Sequence, residues 1–327
     1  MKLHKKHLYA FWPIYIIFVM NLCLLQPTIT ANTPTNETDR LALLKFKESI
    51  SHDPYMMLSS WNDSMHFCNW FGITCGRRHQ RVMALYLQGY KLQGSISPYM
   101  SNLTFLRFIN LQNNSFYGEI PHEVGHLFQL QTLNLNNNTL EGEIPSSLSN
   151  YSNARFINLL WNGLNGKIPA ELGSLLKLQT LQLSGNNLIG EIPTSFVNLS
   201  SLRILSLSDN KLVGNIPNGI GNLKSLYFFS ISVNNLSGTI PSSLYNISSL
   251  QTISFTENQL EGTLPDNIGL TLPNLNSLLF VNNKFFGPIP VSLCSASQLQ
   301  ILDLGENYLL GSVPTKGEFG SAFCKSA

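Results

Sequence analysis

The residues most suggestive of catalysis are two histidines and a glutamate in the segment His122-Glu-Val-Gly-His126. Their spacing matches the HExxH pattern of zinc proteases, in which two histidines one helical turn apart bind the metal and the glutamate activates water. The same stretch recurs in the chain as Glu171-Leu-Gly-Ser and Gly219-Ile-Gly-Asn, without histidines. Since a recurring segment explains the spacing and no third ligand is evident, we interpret it as scaffold, with Val124 pointing inward.

Motifs of phosphoryl transfer are absent from the sequence, which contains no glycine-rich phosphate loop, no HRD or DFG triplet and no P-loop Gly-Lys-Ser/Thr. The 20 lysines and arginines are nearly balanced by 18 aspartates and glutamates, and Lys2, Lys5 and Lys6 lie at the very N-terminus. No basic surface for nucleic acid is therefore expected. The sequence predicts a protein that binds a partner, with no enzymatic activity, no cofactor and no metal.

Any functional residue must be positioned by a repeat of 24 residues that starts at Val82. Its clearest copy, from Leu178 to Leu199, follows the pattern LxxLxLxxNxLxGxIPxxLxxL. The eighth copy carries one extra residue near Leu270. The ten copies begin at Val82, Leu106, Leu130, Ala154, Leu178, Leu202, Leu226, Leu250, Leu275 and Leu299.

Each position of the repeat has a structural reason. The alternation Leu181-Gln-Leu183 predicts a short strand with one buried face, and stacked copies would place these strands about 4.8 Å apart in a parallel concave sheet. An asparagine at the ninth position can hydrogen-bond buried backbone groups as a ladder. The glycine and proline that follow permit close backbone approach and fix the chain direction. The predicted fold is an α/β right-handed solenoid, in which these residues are scaffold.

The ladder position is an asparagine in every copy but the first, which has Tyr90. The ladder residues are Asn114, Asn138, Asn162, Asn186, Asn210, Asn234, Asn258, Asn283 and Asn307. The Gly-x-Ile-Pro step that follows them resembles the plant-specific leucine-rich repeat of receptor-like kinases and secreted inhibitors. This resemblance implies an N-terminal cap at residues 32–80 and ten leucine-rich repeats at residues 81–314.

The cap carries the same resemblance. Asp39 to Lys47 would form a short amphipathic helix, and Cys68-Asn-Trp-Phe-Gly-Ile-Thr-Cys75 is similar to the CxWxGxxC cap of that family. The resemblance implies a disulfide between Cys68 and Cys75 and a first coil sealed by Trp61 and Trp70. Zinc binding by these cysteines is disfavoured in a secreted chain.

A narrower resemblance is carried by three segments, Gly262-Thr-Leu-Pro-Asp-Asn-Ile-Gly-Leu-Thr-Leu-Pro-Asn, Gly287-Pro-Ile-Pro-Val-Ser-Leu and Leu302-Asp-Leu-Gly-Glu-Asn. They are similar to immune receptor kinases that detect a bacterial elongation factor or sulfated peptides. The resemblance covers the first half of those ectodomains, and their transmembrane helix and serine/threonine kinase are absent from this sequence, which suggests truncation. It implies an extracellular module for a peptide or protein ligand, with a co-receptor, in defence or development signalling.

The first 31 residues have the features of a secretory signal peptide, with a basic start and an apolar run from Leu8 to Leu25 before the small residue Ala31. An uncleaved signal anchor is the alternative, since the run approaches the roughly 20 residues that span a bilayer. Pro13 and Asn21 favour cleavage. No second apolar run of that length follows, so the mature chain is expected to be secreted, or at the cell surface within a full-length receptor.

The last segment, residues 315–327, loses the repeat pattern and is expected to be irregular and uncapped. We expect Cys294 to be a buried thiol rather than a partner of Cys324. The main alternative to a receptor fragment is a complete secreted inhibitor of a cell-wall-degrading enzyme, similar to polygalacturonase inhibitors. Those inhibitors close the array with paired cysteines, whereas this tail contains only Cys324.

Ligand recognition is expected on the outward positions of the concave strands, which are free to vary. The aromatic residues there are Phe108, Phe156 and Phe228, and the fourth copy adds Leu160 and Trp161. A polar row runs beside them, made of Asn110, Asn134, Asn158 and Gln182. An apolar and aromatic cluster rimmed by amides suits a peptide anchor. The alternative is that the rings only pack against neighbouring coils.

Nine glycosylation sequons are present, at Asn36, Asn62, Asn102, Asn113, Asn137, Asn150, Asn198, Asn235 and Asn246. Asn102, Asn150, Asn198 and Asn246 share one phase near the end of the repeat, away from the strands. Glycans there would leave the concave sheet open. Glycans on Asn113 and Asn137, at the ends of their strands, would narrow it.

Overall fold

A computed structural model of the chain describes residues 36–311; the expected signal peptide and the tail at residues 315–327 lie outside this range. The described part begins with α1 (Asn36–Glu48), which buries Ala42, Leu43 and Phe46 against the first coil. The expected amphipathic helix is therefore present. No helix within residues 36–311 is long and apolar enough to cross a membrane.

The concave sheet contains one strand from each repeat, and its strands pair in parallel and in register. In each strand the central residue, such as Leu181, faces the core while its neighbours face outward. Among the described strands of this sheet, the first pair, contributed by the cap, is antiparallel and the others are parallel. In chain order the strands are Ile73–Cys75, Val82–Tyr86, Phe108–Asn110, Thr132–Asn134, Phe156–Asn158, Thr180–Gln182, Ile204–Ser206, Phe228–Ser230, Thr252–Ser254, Ser277–Leu279 and Ile301–Asp303.

A second set of strands, not predicted from the sequence, runs along another side of the coil. Within residues 36–311 it forms a four-stranded lateral sheet of Ile50–His52, Gln93–Ser95, Ser115–Glu119 and Thr139–Glu141. A six-stranded lateral sheet follows, of Ile189–Gly190, Lys211–Gly214, Asn235–Thr239, Gln259–Gly262, Lys284–Pro288 and Tyr308–Leu310. Most of these strands include the apolar residue at the eleventh position of the repeat, which is buried in copies such as those of Phe116, Leu140 and Leu212.

The third side of the coil consists of short 3-10 helices, most of which begin directly after a proline. Those in the repeats are Pro98–Asn102, His122–His126, Ser146–Asn150, Ala170–Ser174, Thr194–Asn198, Asn218–Asn222, Ser242–Asn246 and Val291–Ser295. The cap adds Met57–Ser60 and Phe67–Asn69. In the eighth copy the extra residue widens this turn into a short α-helix, α2 (Ile268–Thr271), in which Leu270 is exposed.

The asparagine ladder is present as predicted, and Asn186 shows its geometry. Its Oδ1 accepts a hydrogen bond from Leu164 N of the preceding coil at 3.1 Å. Its Nδ2 donates to Leu159 O and Leu183 O at 3.0 Å each, and to Ser184 O at 3.3 Å. One buried amide thus joins two coils. In the first copy, which lacks this asparagine, the backbone of Tyr90 is instead bonded by Asn114 Oδ1 of the next coil.

The cap is attached to the first coil by covalent, aromatic and ionic contacts. Cys68 and Cys75 form a disulfide. The rings of Trp61 and Trp70 are buried and stacked with centroids 5.5 Å apart, which seals this end of the core. The carboxylate of Asp39 is fully buried and accepts hydrogen bonds from the guanidinium of Arg81 at 2.9 and 2.7 Å.

The expected free thiol at Cys294 is wrong. Cys294 is buried at the end of a 3-10 helix, as expected, but it is disulfide-bonded, and its partner lies outside the described residues. Burial of a small apolar side chain cannot distinguish a thiol from a half-cystine. Whether a disulfide forms depends on the redox conditions around the chain, which the residue type and its burial do not report.

Candidate functional site

The outward positions of the concave sheet form one continuous surface, which we call the recognition face; we count positions from the first residue of each copy. The third, fifth and seventh positions contribute its side chains. Because the strands pair in register, residues of equal position form straight rows across the coils. Almost every backbone polar group in these strands is used between coils, so a ligand must be recognised mainly by side chains.

The three predicted phenylalanines lie in one row of the recognition face. Phe108, Phe156 and Phe228 are each half-buried, so their rings pack partly on neighbouring coils and expose the remainder. Phe108 and Phe156 are separated by the smaller Thr132, which pairs with both. The rings are therefore packed and yet still reachable, and their contact with a ligand stays a prediction.

Trp161 is the most exposed aromatic residue among those predicted, with 56% of its surface accessible. Its ring lies over Gly185 of the next coil, where a Cβ atom would overlap it. Its backbone has φ of 51°, a left-handed conformation that is unfavourable for a bulky residue. The eighth position is left-handed in all ten copies, and most of these copies fill it with glycine, asparagine or an acidic residue. A tryptophan in this conformation strains the backbone, and such strain is common at residues that take part in binding.

The predicted amide row is less uniform than the sequence suggested. Asn134 and Asn158 are 8% and 7% exposed, while Asn110 and Gln182 are half-buried. Asn134 Nδ2 donates to Gln112 Oε1 of the preceding coil at 2.7 Å, so its amide is already used. A ligand that contacts Asn134 would have to share or replace this hydrogen bond, and the assignment of Asn134 to the site stays a prediction.

The hydrogen bond that corresponds to Asn134–Gln112 is missing one coil further on, between Asn158 and Asn136. Asn158 Oδ1 accepts from Leu160 N at 3.1 Å, which fixes the orientation of the amide. Within residues 36–311 its Nδ2 has no partner, and Asn136 Oδ1 of the preceding coil is buried and unbonded. In copies five to eight the same place is filled by serine pairs, such as Ser184 with Ser206 at 2.7 Å. The interrupted pairing therefore coincides with the aromatic cluster at Phe156, Leu160 and Trp161, a coincidence that sequence inspection missed.

The HExxH segment has the wrong geometry for a zinc protease. His122–His126 is a 3-10 helix, in which residues three apart share a face, so the two histidines do not lie one above the other. Val124 is buried, as predicted. The His122 side chain is 80% exposed and its nearest carboxylate is Glu123, 3.4 Å away. Residues 36–311 contain no group of three or more side chains arranged to hold a metal.

All nine sequon asparagines are exposed. Asn102, Asn150, Asn198 and Asn246 each end a 3-10 helix, away from the recognition face. Asn113 and Asn137 lie at the ends of concave strands, and Asn137 Nδ2 donates to Asn113 Oδ1 at 2.9 Å. Their glycosylation stays a prediction.

Comparison with known families matches this architecture. Residues 146–315 match a leucine-rich repeat region and residues 36–76 match a leucine rich repeat N-terminal domain. Residues 105–127 and 129–151 each match a single leucine rich repeat. The matches cover the cap and most of the coils described above.

Similar proteins include the LRR receptor-like serine/threonine-protein kinase EFR of Arabidopsis thaliana, which is 50% identical over 116 residues, or 35% of this chain and 11% of that protein. A solved structure of the ectodomain of the Arabidopsis thaliana receptor kinase GASSHO1/SCHENGEN3, in complex with CASPARIAN STRIP INTEGRITY FACTOR 2, has a TM-score of 0.81 and 36% identity. It covers 84% of this chain and 33% of the other.

The Arabidopsis receptor kinase HAESA, solved with the peptide hormone IDA and the co-receptor SERK1, has a TM-score of 0.61 and 29% identity, covering 83% of this chain and 54% of the other. The chain thus spans about a tenth of the curated relative and a third to a half of these ectodomains. By its repeats, its cap and these matches, the chain belongs to the leucine-rich-repeat family and is similar to the ectodomains of plant receptor kinases.

Proposed function

We propose that this chain is an extracellular recognition module that binds a peptide in extended conformation across the recognition face, as part of a receptor-like serine/threonine kinase in defence or development signalling. The observation that carries the proposal is the cluster of Phe156, Leu160 and Trp161 beside Asn158, whose Nδ2 has no partner within residues 36–311. Binding hot spots are enriched in large side chains such as tryptophan, clustered near the centre of an interface.

The geometry supports binding without catalysis. The ladder and the two kinds of sheet hold the recognition face rigid, so little conformational entropy is lost when a ligand docks. Trp161 and Phe156 offer apolar contact, and the amides of Asn158 and Gln182 can bond to the ligand backbone. Peptide and co-receptor binding by similar ectodomains supports a peptide ligand and a co-receptor for this chain too.

A second candidate is a secreted inhibitor of a cell-wall-degrading enzyme. The specific observation in its favour is that Cys294, near the last described coil, is disulfide-bonded. The resemblance to such inhibitors implies paired cysteines at this end, and the sequence had suggested their absence. An inhibitor would bind a folded enzyme and not a short peptide, so the experiment below separates the two.

Phe156→Ala combined with Trp161→Ala is expected to weaken peptide binding at least about thirtyfold, because truncating a hot-spot aromatic residue costs about 2 kcal/mol or more. The secreted chain is first used to select binders from a random peptide library, and the dissociation constants of the enriched peptides are then measured on wild type and variant.

Leu159→Ala is the matched control, since Leu159 lies between these residues but is fully buried. It should lower the melting temperature by removing core packing, with peptide affinity unchanged at temperatures where the chain is folded. Selection of no peptide at all, or unchanged affinity in a folded double variant, would contradict the proposed function.

A further inference from the structure

A row of arginines borders the recognition face where its strands begin. Arg107, Arg155 and Arg203 hold the second position of the second, fourth and sixth copies, 48 residues apart. The sheet keeps this row in register, because Arg107 O accepts from Gln131 N and Arg155 O accepts from Gln179 N, both at 2.8 Å. Arg155 and Arg203 are exposed and Arg107 is half-buried.

The three guanidinium groups are available for a ligand. In the part of the chain that the structure describes, none of them makes an ion pair or a side-chain hydrogen bond. No copy has an acidic residue at its second or third position. Exposed carboxylates lie instead at the opposite ends of the strands, at Asp209, Glu257 and Glu306. The recognition face therefore has a positive edge where its strands begin and negative groups at the other edge.

The residues that follow the arginines also alternate from one copy to the next. Each arginine is followed by a large apolar residue, namely Phe108, Phe156 or Ile204, and all three are half-buried. The intervening coils carry Gln131-Thr132 and Gln179-Thr180 instead. At about 4.8 Å per strand, this edge repeats every two coils, or about every 9.6 Å.

We propose that the positive edge binds an acidic, proline-rich segment in polyproline II conformation, with a carboxylate at every third residue. This deepens the proposed function and rests on it. A polyproline II helix has three residues per turn and rises about 9.3 Å per turn, so every third side chain lies on one face. Across the three arginines the mismatch is only about 0.6 Å, which flexible arginine side chains can absorb.

Other backbone conformations fit this edge less well. In a β-strand, residues three apart point to opposite sides, so only every second carboxylate of such a segment would face the arginines. In an α-helix, three residues rise only about 4.5 Å. Proline rings also pack well on aromatic and aliphatic side chains such as those beside the arginines. Spacing, charge and apolar contact therefore favour the same ligand.

The test uses three synthetic peptides on the secreted, folded chain: four repeats of Pro-Pro-Glu, four repeats of Pro-Pro-Gln, and a block peptide of eight prolines followed by four glutamates. The first should bind at least about tenfold more tightly than either of the others. Arg107→Gln, Arg155→Gln and Arg203→Gln combined should abolish this preference, because each substitution removes a charge-assisted hydrogen bond.

The matched control combines Lys167→Gln, Lys211→Gln and Lys284→Gln, which removes three exposed cations on the lateral side and should leave the preference intact. Equal binding of the alternating and block peptides would overturn the spacing argument. Tighter binding of an oligogalacturonate through the same arginines would show that the ligand is an acidic polysaccharide and would overturn the proposed peptide ligand. If library peptides still depend on Phe156 and Trp161 while the arginine variants change nothing, this inference fails and the proposed function stands.

Discussion

Asp39→Ala is expected to lower the free energy of unfolding of the cap and first coils by about 3–5 kcal/mol, because it leaves a buried guanidinium without its carboxylate. Arg81 is 5% exposed and lies over the ring of Phe105 at 4.6 Å. Asp39 also accepts from Val82 N at 2.8 Å, so the backbone of the first strand loses a partner as well. Denaturant titration followed by tryptophan fluorescence reports on this end, since Trp61 and Trp70 are buried there.

An exposed ion pair in the same cap gives the control for this measurement. Asp63 is 83% exposed and pairs with Arg40, so Asp63→Ala should lower the free energy of unfolding far less than Asp39→Ala. A second variant, Asp39→Leu with Arg81→Met, should recover much of the loss, since an apolar pair replaces both charges together. Equal stability of Asp39→Ala and Asp63→Ala would show that the buried pair does not hold the cap.

Asn186→Leu is expected to destabilise the middle of the array by about 2–4 kcal/mol. Leucine leaves the buried N–H of Leu164 without an acceptor, which is the largest part of the cost. The carbonyls of Leu159 and Leu183 also lose a donor, but each keeps a bond from the amide of a neighbouring ladder asparagine, which limits the damage.

Hydrogen exchange would locate this loss, because repeat arrays open locally and each coil contacts mainly its neighbours. Faster exchange should be confined to the fourth to sixth copies. Asn187→Leu, at the next and exposed position, is the control and should change stability by less than about 0.5 kcal/mol. A uniform change along the array, or none, would contradict the assigned role of the ladder.

The coil was predictable from sequence because its signals are local and repeated. The ladder asparagine makes four hydrogen bonds to backbone groups, so it must occupy the same position of each coil that carries it. Its regular spacing is therefore visible in the sequence. The lateral strands were missed because their period-two pattern is short and interrupted by glycine, as at Leu140, Glu141 and Gly142. Only the pairing between coils reveals them.

Within the candidate site, the sequence predicted which residues form the amide row, but not which of their side chains are already hydrogen-bonded within the protein. Asn134 and Asn158 occupy the same position, yet one is bonded to Gln112 and the other lacks this bond. The difference depends on the preceding coil, where Gln112 is replaced by the shorter Asn136. The placement of the Trp161 ring likewise depends on Gly185, which lies 24 residues away and leaves room for the ring because it has no Cβ atom.

A glycan placed on the recognition face tests the central claim most directly. Gln182→Asn puts an asparagine two residues before Ser184 and so creates a sequon beside Trp161 and Leu160. Glu261→Asn does the same before Thr263, on the six-stranded lateral sheet.

Mass spectrometry verifies that each new sequon carries a glycan, and the melting temperature verifies that each variant is folded. The measured quantity is the dissociation constant for peptides selected on the wild-type chain. We expect the first glycan to abolish binding and the second to leave it unchanged; undiminished binding with an occupied, folded Gln182→Asn chain would contradict recognition on the concave face.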